Sequence, residues 1–267
     1  MHRVLVVANQ KGGVGKTTTT INLGTAMALA GQRVLLVDLD PQGNLTSGVG
    51  RKGQTTKAGS VYQAITEDGV DAGAFVLDTP VTGLSLIPAD RNLTGAEVEL
   101  VSLPHREQRL RTVLSTLEDR FDYVFIDTPP SLGLLTLNAL VAADAVIIPL
   151  NCEYFALEGL ADLVATLRRV RNSLNPALDI AGVVLTMYDE RTNLGQQVAR
   201  DIRAFFEERV FTTVIPRNIR LGEAPSHGLP AVTYDPKSRG AEAYVTLARE
   251  FLDREAARHA QTEPHHG

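Results

Sequence analysis

Short apolar runs alternate with longer amphipathic stretches along most of the chain. Apolar runs that include many β-branched residues occur at 3–8, 33–37, 84–87, 123–126, 145–150, 180–186, 213–215 and 231–233. Stretches with the apolar spacing of a helix occur at 17–30, 92–117, 131–142, 157–172, 195–208 and 238–256, and the second is long enough for two helices. This alternation predicts an α/β fold with a mostly parallel, twisted sheet and helices on both faces.

The predicted strand at 33–37 contains four consecutive apolar residues, Val34-Leu35-Leu36-Val37. A strand of this kind is expected where helices cover both faces of a parallel sheet, and ligands then bind beyond the carboxyl ends of the strands. A chain of 267 residues fits a single domain with this fold. We expect the domain to span residues 1–258 and residues 259–267 to form a disordered tail.

A glycine-rich segment lies between the first predicted strand and the first predicted helix. Its sequence is Asn9-Gln10-Lys11-Gly12-Gly13-Val14-Gly15-Lys16-Thr17-Thr18. Glycines let backbone N–H groups turn toward an anion, and the start of the following helix adds its positive dipole end. Lys16 can then reach the β- and γ-phosphates, and the Thr17 hydroxyl can ligate Mg²⁺. The segment therefore predicts a single-domain P-loop NTPase fold with a nucleoside triphosphate site.

Two residues of this segment depart from the common loop. Gln10 stands where the common pattern has glycine, and Gly12 and Gly13 supply the flexibility instead. Lys11 is a second lysine for which an ordinary phosphate loop has no use. It indicates contact with a second chain, and a solvated loop lysine is the alternative interpretation.

Aspartates follow two of the predicted strands. Asp38 and Asp40 follow the run at 33–37, and Asp127 follows the run at 123–126. We expect Asp127 to hold Mg²⁺ through its water shell and Asp40 to orient or deprotonate the attacking water. Asp38 is expected to brace the loop. Each aspartate has an alternative role as a turn cap.

Composition narrows the class of protein. The formal net charge is −5 and the pI is about 5.7, which argues against a surface that attracts nucleic acid everywhere. No apolar run reaches the ~18 residues that span a bilayer, so we expect a cytoplasmic protein without membrane association. The single cysteine, Cys152, is expected to be a buried thiol. Because a redox or metal-delivery site needs several thiolates, a chain with one cysteine argues against that class of protein.

Five motifs together resemble the ParA/Soj family of chromosome and plasmid partition ATPases. They are the segment 11–18, a deviant form of the Walker A motif, and the segments 38–44, 126–132, 153–159 and 215–220. The resemblance covers nearly the whole chain, and Gln10 is the usual residue at its position in that family.

The resemblance implies that ATP, ADP and Mg²⁺ are the cofactors and that two ATP-bound subunits form a sandwich dimer. In such a dimer Lys11 of each subunit contacts the phosphates bound by the other. The implied catalytic residues are Lys11, Lys16 and Asp40, and the implied metal-binding residues are Thr17, Asp40 and Asp127. The implied nucleotide-binding residues are Gln10, Lys11, Gly12, Gly13, Val14, Gly15, Lys16, Thr17 and Thr18, with Pro216 and Asn218 flanking the adenine.

The resemblance also implies a function in DNA segregation. Positions matching Arg191 and Arg220 contribute to sequence-independent binding of double-stranded DNA, and Arg217 is a further candidate. A slow ATPase would bind DNA as a dimer on the nucleoid, and a ParB-like partner would stimulate hydrolysis and release. The alternative is a membrane-cycling division-site ATPase of the MinD type, which needs a basic amphipathic C-terminal helix. Residues 251–259 include acids and lack large apolar residues after Leu252, so they fail this requirement.

Overall fold

The computed structural model describes residues 2–153 and 156–262, and these residues fold around a seven-stranded sheet. The strands are β1 (Arg3–Val7), β2 (Val34–Asp38), β3 (Leu77–Asp78), β4 (Leu84–Ile87), β5 (Tyr123–Asp127), β6 (Ala145–Asn151) and β7 (Asp179–Thr186). Their order across the sheet is β3-β4-β2-β5-β1-β6-β7. Neighbouring strands are parallel except β3 and β4, so the predicted mostly parallel sheet is confirmed.

Helices cover both faces of the sheet, as predicted. They are α1 (Lys16–Leu29), α2 (Asn44–Gly48), α3 (Val61–Thr66), α4 (Leu93–Leu100), α5 (Arg109–Ser115), α6 (Leu134–Ala142), α7 (Ala156–Ser173), α8 (Asn193–Phe206), α9 (Ile219–Glu223), α10 (Ala231–Tyr234) and α11 (Arg239–Thr262). Helices α1, α2 and α9–α11 pack on one face, and α3–α8 pack on the other. The stretch at 92–117 contains two helices, α4 and α5, as the sequence predicts.

The central strands are buried on both faces because their side chains alternate between two cores. In β2, Leu35 belongs to the core under α3–α8, and Leu36 belongs to the core under α1 and α11. Both side chains are fully buried. Burying a leucine side chain contributes about 1.5–3 kcal/mol, so an apolar residue is favoured at every position of such a strand.

The order of the strands brings the predicted site residues to one edge of the sheet. Strand β5 lies between β1 and β2, and Asp127 at its end is in register with both Val7 and Asp38. The loops after these three strands therefore begin side by side. The loop after β1 continues into α1, so the glycine-rich segment and the aspartates meet at the carboxyl edge.

The structure contradicts the strand predicted at 213–215. Residues 211–215 run beside β7 and donate two hydrogen bonds to it, from Phe211 N to Val183 O at 2.9 Å and from Ile215 N to Leu185 O at 2.8 Å. Only isolated parallel pairings result. Ile215 is buried in the core beneath α11, and Val214 is half-buried against the core on the other face, although neither residue belongs to a strand.

The strand predicted at 231–233 is also wrong, because these residues lie in the short helix α10. Pro230 precedes the helix with a φ of −60°, a value that suits a helix start. A run of three apolar residues is too short for its periodicity to distinguish a strand from a helical turn.

Helix α11 ties the C-terminal region to the sheet. It continues to Thr262, four residues into the segment 259–267 that was predicted to be a tail, and residues 263–267 lie outside the described residues. Glu255 on α11 forms an ion pair with Arg3 on β1, and both side chains are buried. Within the described part of the chain, we find no helix with the length and apolarity needed to cross a bilayer.

Candidate nucleotide-binding site

The loop between β1 and α1 has the backbone shape of an anion cradle. Gly13 and Gly15 have positive φ angles of 73° and 89°, a region that side-chain-bearing residues rarely adopt. Gly15 is also the N-cap of α1, which begins at Lys16. The N-terminus of α1 therefore directs its unpaired N–H groups and positive dipole end toward the loop.

Hydrogen bonds from neighbouring strands hold the loop in place. Asn9 Nδ2 donates to Pro149 O at 2.8 Å, and Asn9 Oδ1 accepts from Lys11 N at 3.0 Å. Thr186 Oγ1 at the end of β7 donates to Val14 O at 2.8 Å. No local pattern in the sequence indicates these contacts of Asn9 and Thr186, because contacts with β6 and β7 depend on how the sheet is assembled.

Lys16 is the cation of this cradle. Its side chain is only 7% exposed, and its Nζ atom donates to Lys11 O at 3.3 Å. Burial lowers the pKa of Lys16, and the negative charges of Asp127 and Asp40 oppose that effect. The ammonium group thus lies in a water-poor site with two carboxylates close enough to influence it.

Thr17 and Asp127 are in direct contact. Thr17 Oγ1 donates to Asp127 Oδ2 at 2.7 Å, and Thr20 Oγ1 makes a longer contact with Asp127 Oδ1 at 3.4 Å. Asp127 is fully buried, and this burial together with the nearby Asp38 raises its pKa to about 8. A buried carboxylate with few compensating charges suits a cation, since a bound cation would favour its ionised form.

The donor set fits Mg²⁺ that is shared with phosphate oxygens. Within residues 2–153 and 156–262, no group of three His, Cys, Asp or Glu side chains forms a metal cage. Mg²⁺ in nucleotide sites does not require one, because it is held by one or two protein oxygens, substrate phosphates and water. The hydroxyl of Thr17 and the carboxylate of Asp127 supply such oxygens, and Asp40 faces the same cavity.

Asp38 and Asp40 differ in their surroundings although they are two residues apart. Asp38 is fully buried and its Oδ2 accepts from Thr46 N at 2.8 Å and Thr46 Oγ1 at 2.6 Å, which is the bracing role that the sequence predicts. Burial raises the pKa of Asp38 to about 6. The carboxylate of Asp40 accepts a hydrogen bond from Gln42 N at 3.0 Å, through its Oδ1 atom. Its carboxylate is the one that borders open space.

The phosphate loop lines a cavity of about 370 Å³. Its walls are Gly12, Gly13, Gly15, Lys16, Thr17, Thr18, Asp40, Gln42, Asn44, Pro130 and Met187. Gln10 lies outside these walls, and its Oε1 atom is buried without a hydrogen-bond partner in the described chain. The structure thus brings most of the sequence-predicted loop residues and Asp40 around one space.

Pro216 and Asn218 do not line that cavity. Pro216 lines a larger neighbouring cavity of about 740 Å³, together with Tyr188, which follows Met187 in the chain. Asn218 begins α9, and its Oδ1 accepts from Arg220 N at 2.9 Å. Two consecutive residues, Met187 and Tyr188, line one cavity each, and the phosphate cavity is the one lined by the predicted glycines, Lys16, Thr17 and Asp40.

Lys11 does not line the phosphate cavity of its own chain. Its Nζ lies 3.6 Å from Glu153 Oε2, and Glu153 Oε1 lies 3.5 Å from Arg217 Nη2. Asn151 Nδ2 also donates to Glu153 Oε2 at 2.7 Å. Glu153 was quoted only as part of a motif in the sequence analysis, and the structure shows that it contacts both cations. The following motif residues, 154 and 155, lie outside the described residues.

The other predicted cations lie on exposed segments. Arg191 follows β7 and has a side chain that is 84% exposed, and Arg220 lies in α9 with 42% exposure. Arg217 is 68% exposed and borders the larger cavity with Arg191. Each of these arginines contacts a carboxylate of its own chain. Cys152 is buried as predicted, and burial raises the pKa of its thiol to about 11.

Comparison with known proteins identifies relatives over nearly the whole chain. Residues 2–180 match the family model described as AAA domain. The chain is 53% identical to chromosome partitioning protein ParA of Caulobacter vibrioides, with 97% of each chain covered. It is also 53% identical to sporulation initiation inhibitor protein Soj of Bacillus subtilis, with 94% of this chain and 98% of that protein covered.

A solved structure shares both sequence and fold with this chain. It is cobyrinic acid a,c-diamide synthase from Mycobacterium smegmatis with bound ATP analog and magnesium. It is 40% identical to this chain, with 96% of this chain and 97% of that chain covered, and the TM-score is 0.84.

Proposed function

The chain belongs to the ParA/Soj family of chromosome partitioning ATPases, and we propose that ATP binding switches it from a single subunit to a sandwich dimer that binds DNA. Hydrolysis of ATP to ADP and phosphate would return it to the single-subunit form. A ParB-like protein loaded on a centromere-like site would stimulate this slow reaction. Repeated binding and release on the nucleoid would then move or position an origin region.

The position of Lys11 is the observation that carries the dimer proposal. Lys16 lines the phosphate cavity, whereas Lys11 lies outside it with its Nζ close to Glu153. The cradle therefore has its own cation and leaves the second one for another ligand. A lysine that faces a triphosphate across a water-poor interface interacts far more strongly than it does on an open surface. Nucleotide bound in one subunit would thus attract Lys11 of the other.

The residues of the cradle divide the hydrolysis step among them. We assign phosphate binding to the N–H groups of residues 10–18 and to Lys16, and we assign metal binding to Thr17, Asp127 and Asp40. Mg²⁺, when bound, would neutralise charge on the phosphate oxygens. Asp40 would accept a hydrogen bond from the attacking water and orient it.

The adenine is assigned to the region of Pro216 and Asn218, beside the phosphate cavity. The ring of Pro216 offers an apolar surface. The Nδ2 group of Asn218 makes no hydrogen bond within the described chain and can donate to a base, while its Oδ1 is occupied by Arg220 N. These features support the assignment, and Pro216 is half-buried at this position.

Contacts in the fold support a link between nucleotide and DNA. The loop that contains Asp40 leads into α2, and the 3-10 helix Ala224–His227 that follows α9 packs on α2. Just after these two helices, the backbone at Gly50 approaches the backbone at Gly228. A Cβ on Gly50 would lie 2.9 Å from Gly228 O. A shift of the Asp40 loop would therefore be transmitted to the segment that contains Arg220.

Sedimentation and DNA binding test this proposal together. We expect Asp40→Ala with Mg²⁺ and ATP to sediment at twice the 28.8 kDa mass of the chain, because it binds ATP without turning it over. The same variant should retain duplex DNA when ATP is bound. With ADP or without nucleotide, it should neither dimerise nor retain DNA. Adding Lys11→Ala to this variant should restore the single subunit and abolish DNA retention.

The outcomes separate the proposal from its alternatives. Single subunits for Asp40→Ala at saturating Mg²⁺ and ATP would contradict the dimer proposal, and an unchanged dimer after Lys11→Ala would contradict the role of that lysine. Sedimentation with lipid vesicles in the presence of ATP, without DNA binding, would favour a membrane-cycling ATPase of the MinD type.

Arg220→Ala is expected to lower DNA retention of the ATP-bound dimer by about 10-fold or more, because the dimer loses two phosphate contacts. ATP binding and dimerisation should not change. Retention is measured by gel shift at fixed salt. Arg249→Ala is the matched control, since Arg249 is an exposed arginine on α11 and is not one of the predicted DNA-binding residues. Equal losses in both variants would remove Arg220 from the DNA interface.

A further inference from the structure

We propose that Asp189 and Glu223 act as internal competitors of DNA phosphate, holding Arg191 and Arg220 so that one subunit alone binds DNA too weakly to be retained. This inference rests on the proposed function, because it assumes that the two arginines contact DNA. It adds a specificity-determining role for two acids of this chain. These acids would determine how many DNA phosphates the protein must contact at the same time before the DNA displaces the acids from the arginines.

The first pair closes within one loop. Arg191 Nε lies 2.9 Å from Asp189 Oδ1, and Arg191 Nη2 lies 2.7 Å from Asp189 Oδ2. The backbone N of Arg191 also donates to Asp189 Oδ1 at 3.0 Å. A guanidinium binds a phosphate through two parallel N–H···O bonds. The carboxylate of Asp189 therefore occupies the N–H edge of Arg191 that a DNA phosphate would use.

The second set surrounds Arg220. Its Nη1 atom lies 2.6 Å from Glu223 Oε2, one turn later in α9, and its Nε atom lies 3.2 Å from Asp235 Oδ2. Two different acids thus take up the donors on two sides of the guanidinium. Glu223 also accepts a hydrogen bond from the Tyr234 side chain, which fixes its position.

Both arrangements remain open to solvent. Arg191 is 84% exposed and Arg220 is 42% exposed, while Asp189 and Glu223 are 31% and 38% exposed. An exposed ion pair is weak and is screened by salt, so a phosphate can displace the acid at a small cost. The acids therefore do not block DNA binding. They reduce the binding free energy that each contact between an arginine and a DNA phosphate contributes.

A reduced gain per contact matters most for the single subunit. One subunit offers few cations on a chain with a net charge of −5, and each contact must first release an internal carboxylate. A dimer offers each arginine twice at fixed spacing, so its phosphate contacts form together. The factors by which the individual contacts raise the affinity for DNA then multiply. The acids thereby widen the difference in DNA affinity between the single subunit and the dimer.

The experiment compares the wild type with Asp189→Asn/Glu223→Gln, which keeps the shapes of both side chains and removes their charges. Fluorescence anisotropy with a labelled duplex of mixed sequence measures affinity without nucleotide and with Mg²⁺ and ATP. We expect the nucleotide-free variant to bind about tenfold more tightly than the nucleotide-free wild type. The ratio between the ATP-bound and nucleotide-free affinities should become smaller.

Two controls separate competition from other effects. Glu118→Gln/Asp253→Asn removes the same total charge from exposed acids and leaves both arginines paired, and it should bind like the wild type. Asp189→Glu/Glu223→Asp retains the acids and should restore weak nucleotide-free binding. Equal tightening in the first control would overturn the inference, because net charge alone would explain it. Weaker binding in the Asn/Gln variant would also overturn it, since the acids would then only position the arginines.

Different results would overturn this inference and the proposed function. A wild type that binds DNA with ATP, beside an Asn/Gln variant that binds no more tightly without nucleotide, would overturn this inference alone. A wild type and a variant that bind no DNA in any nucleotide state would overturn the proposed function and this inference together.

Discussion

Lys16→Ala is expected to lower ATP turnover by at least about 10²-fold, because it removes the cation that faces the β- and γ-phosphates inside the cavity. The Lys16 side chain is 7% exposed, so water cannot replace its charge efficiently. ATP binding should weaken as well, and the dimer and DNA retention that depend on it should be lost. Phosphate release and the binding of a fluorescent ATP analogue measure the two effects.

Two further variants make this result specific. Lys52→Ala removes an exposed lysine outside the phosphate cavity and should turn over ATP like the wild type. Lys11→Ala should retain ATP binding to the single subunit and lose the dimer, because Lys11 lies outside its own cavity. Equal ATP affinity for Lys16→Ala and the wild type would contradict the role of Lys16. A Lys11→Ala variant that loses nucleotide in the single subunit would show that both lysines serve one cradle.

The phosphate cradle could be predicted because its residues are consecutive in the chain. Strand, glycines and helix occur within residues 3–29, and the geometry that the glycines allow depends little on the rest of the fold. The aspartates could be predicted for a related reason. Parallel strands end at one edge of the sheet, which predicts both Asp38 and Asp127 at that edge, and they lie side by side because β2 and β5 are neighbouring strands.

Elements whose environment is set by distant packing were predicted less well. Ile215 and Val232 are buried in the core beneath α11, and a short apolar run has no periodicity that distinguishes strand from helix. Glu153 contacts Lys11 across 142 positions of sequence, and no local pattern indicates such a contact.

The acids beside the DNA-binding candidates are an intermediate case. Asp189 is two residues before Arg191, and Glu223 is three residues after Arg220 in a helix, a spacing that places both side chains on one face. The structure gives Asp189 a bidentate contact with Arg191 and places Glu223 and Asp235 on two sides of Arg220, which makes competition with phosphate a testable function.

The ion pair between Arg3 and Glu255 is expected to dominate the attachment of α11 to the sheet. Glu255→Ala should lower the free energy of unfolding by about 3–5 kcal/mol, since it leaves the buried Arg3 guanidinium without its carboxylate. Burial lowers the pKa of Arg3 to about 10, which reflects the cost of keeping this charge away from water. Arg3 Nε has no hydrogen-bond partner in the described chain, so little else compensates the charge. Denaturation in urea measures the difference.

Matched variants distinguish the buried pair from a general effect of helix substitutions. Glu242→Ala changes an exposed acid on the same helix and should lower the free energy of unfolding by less than about 0.5 kcal/mol. Arg3→Leu/Glu255→Leu removes both charges and should recover most of the loss, because two apolar side chains can occupy a buried site without an unpaired charge. If Glu255→Ala is no less stable than Glu242→Ala, the buried guanidinium is compensated elsewhere, and α11 is held by its apolar face against Phe125 and Tyr123.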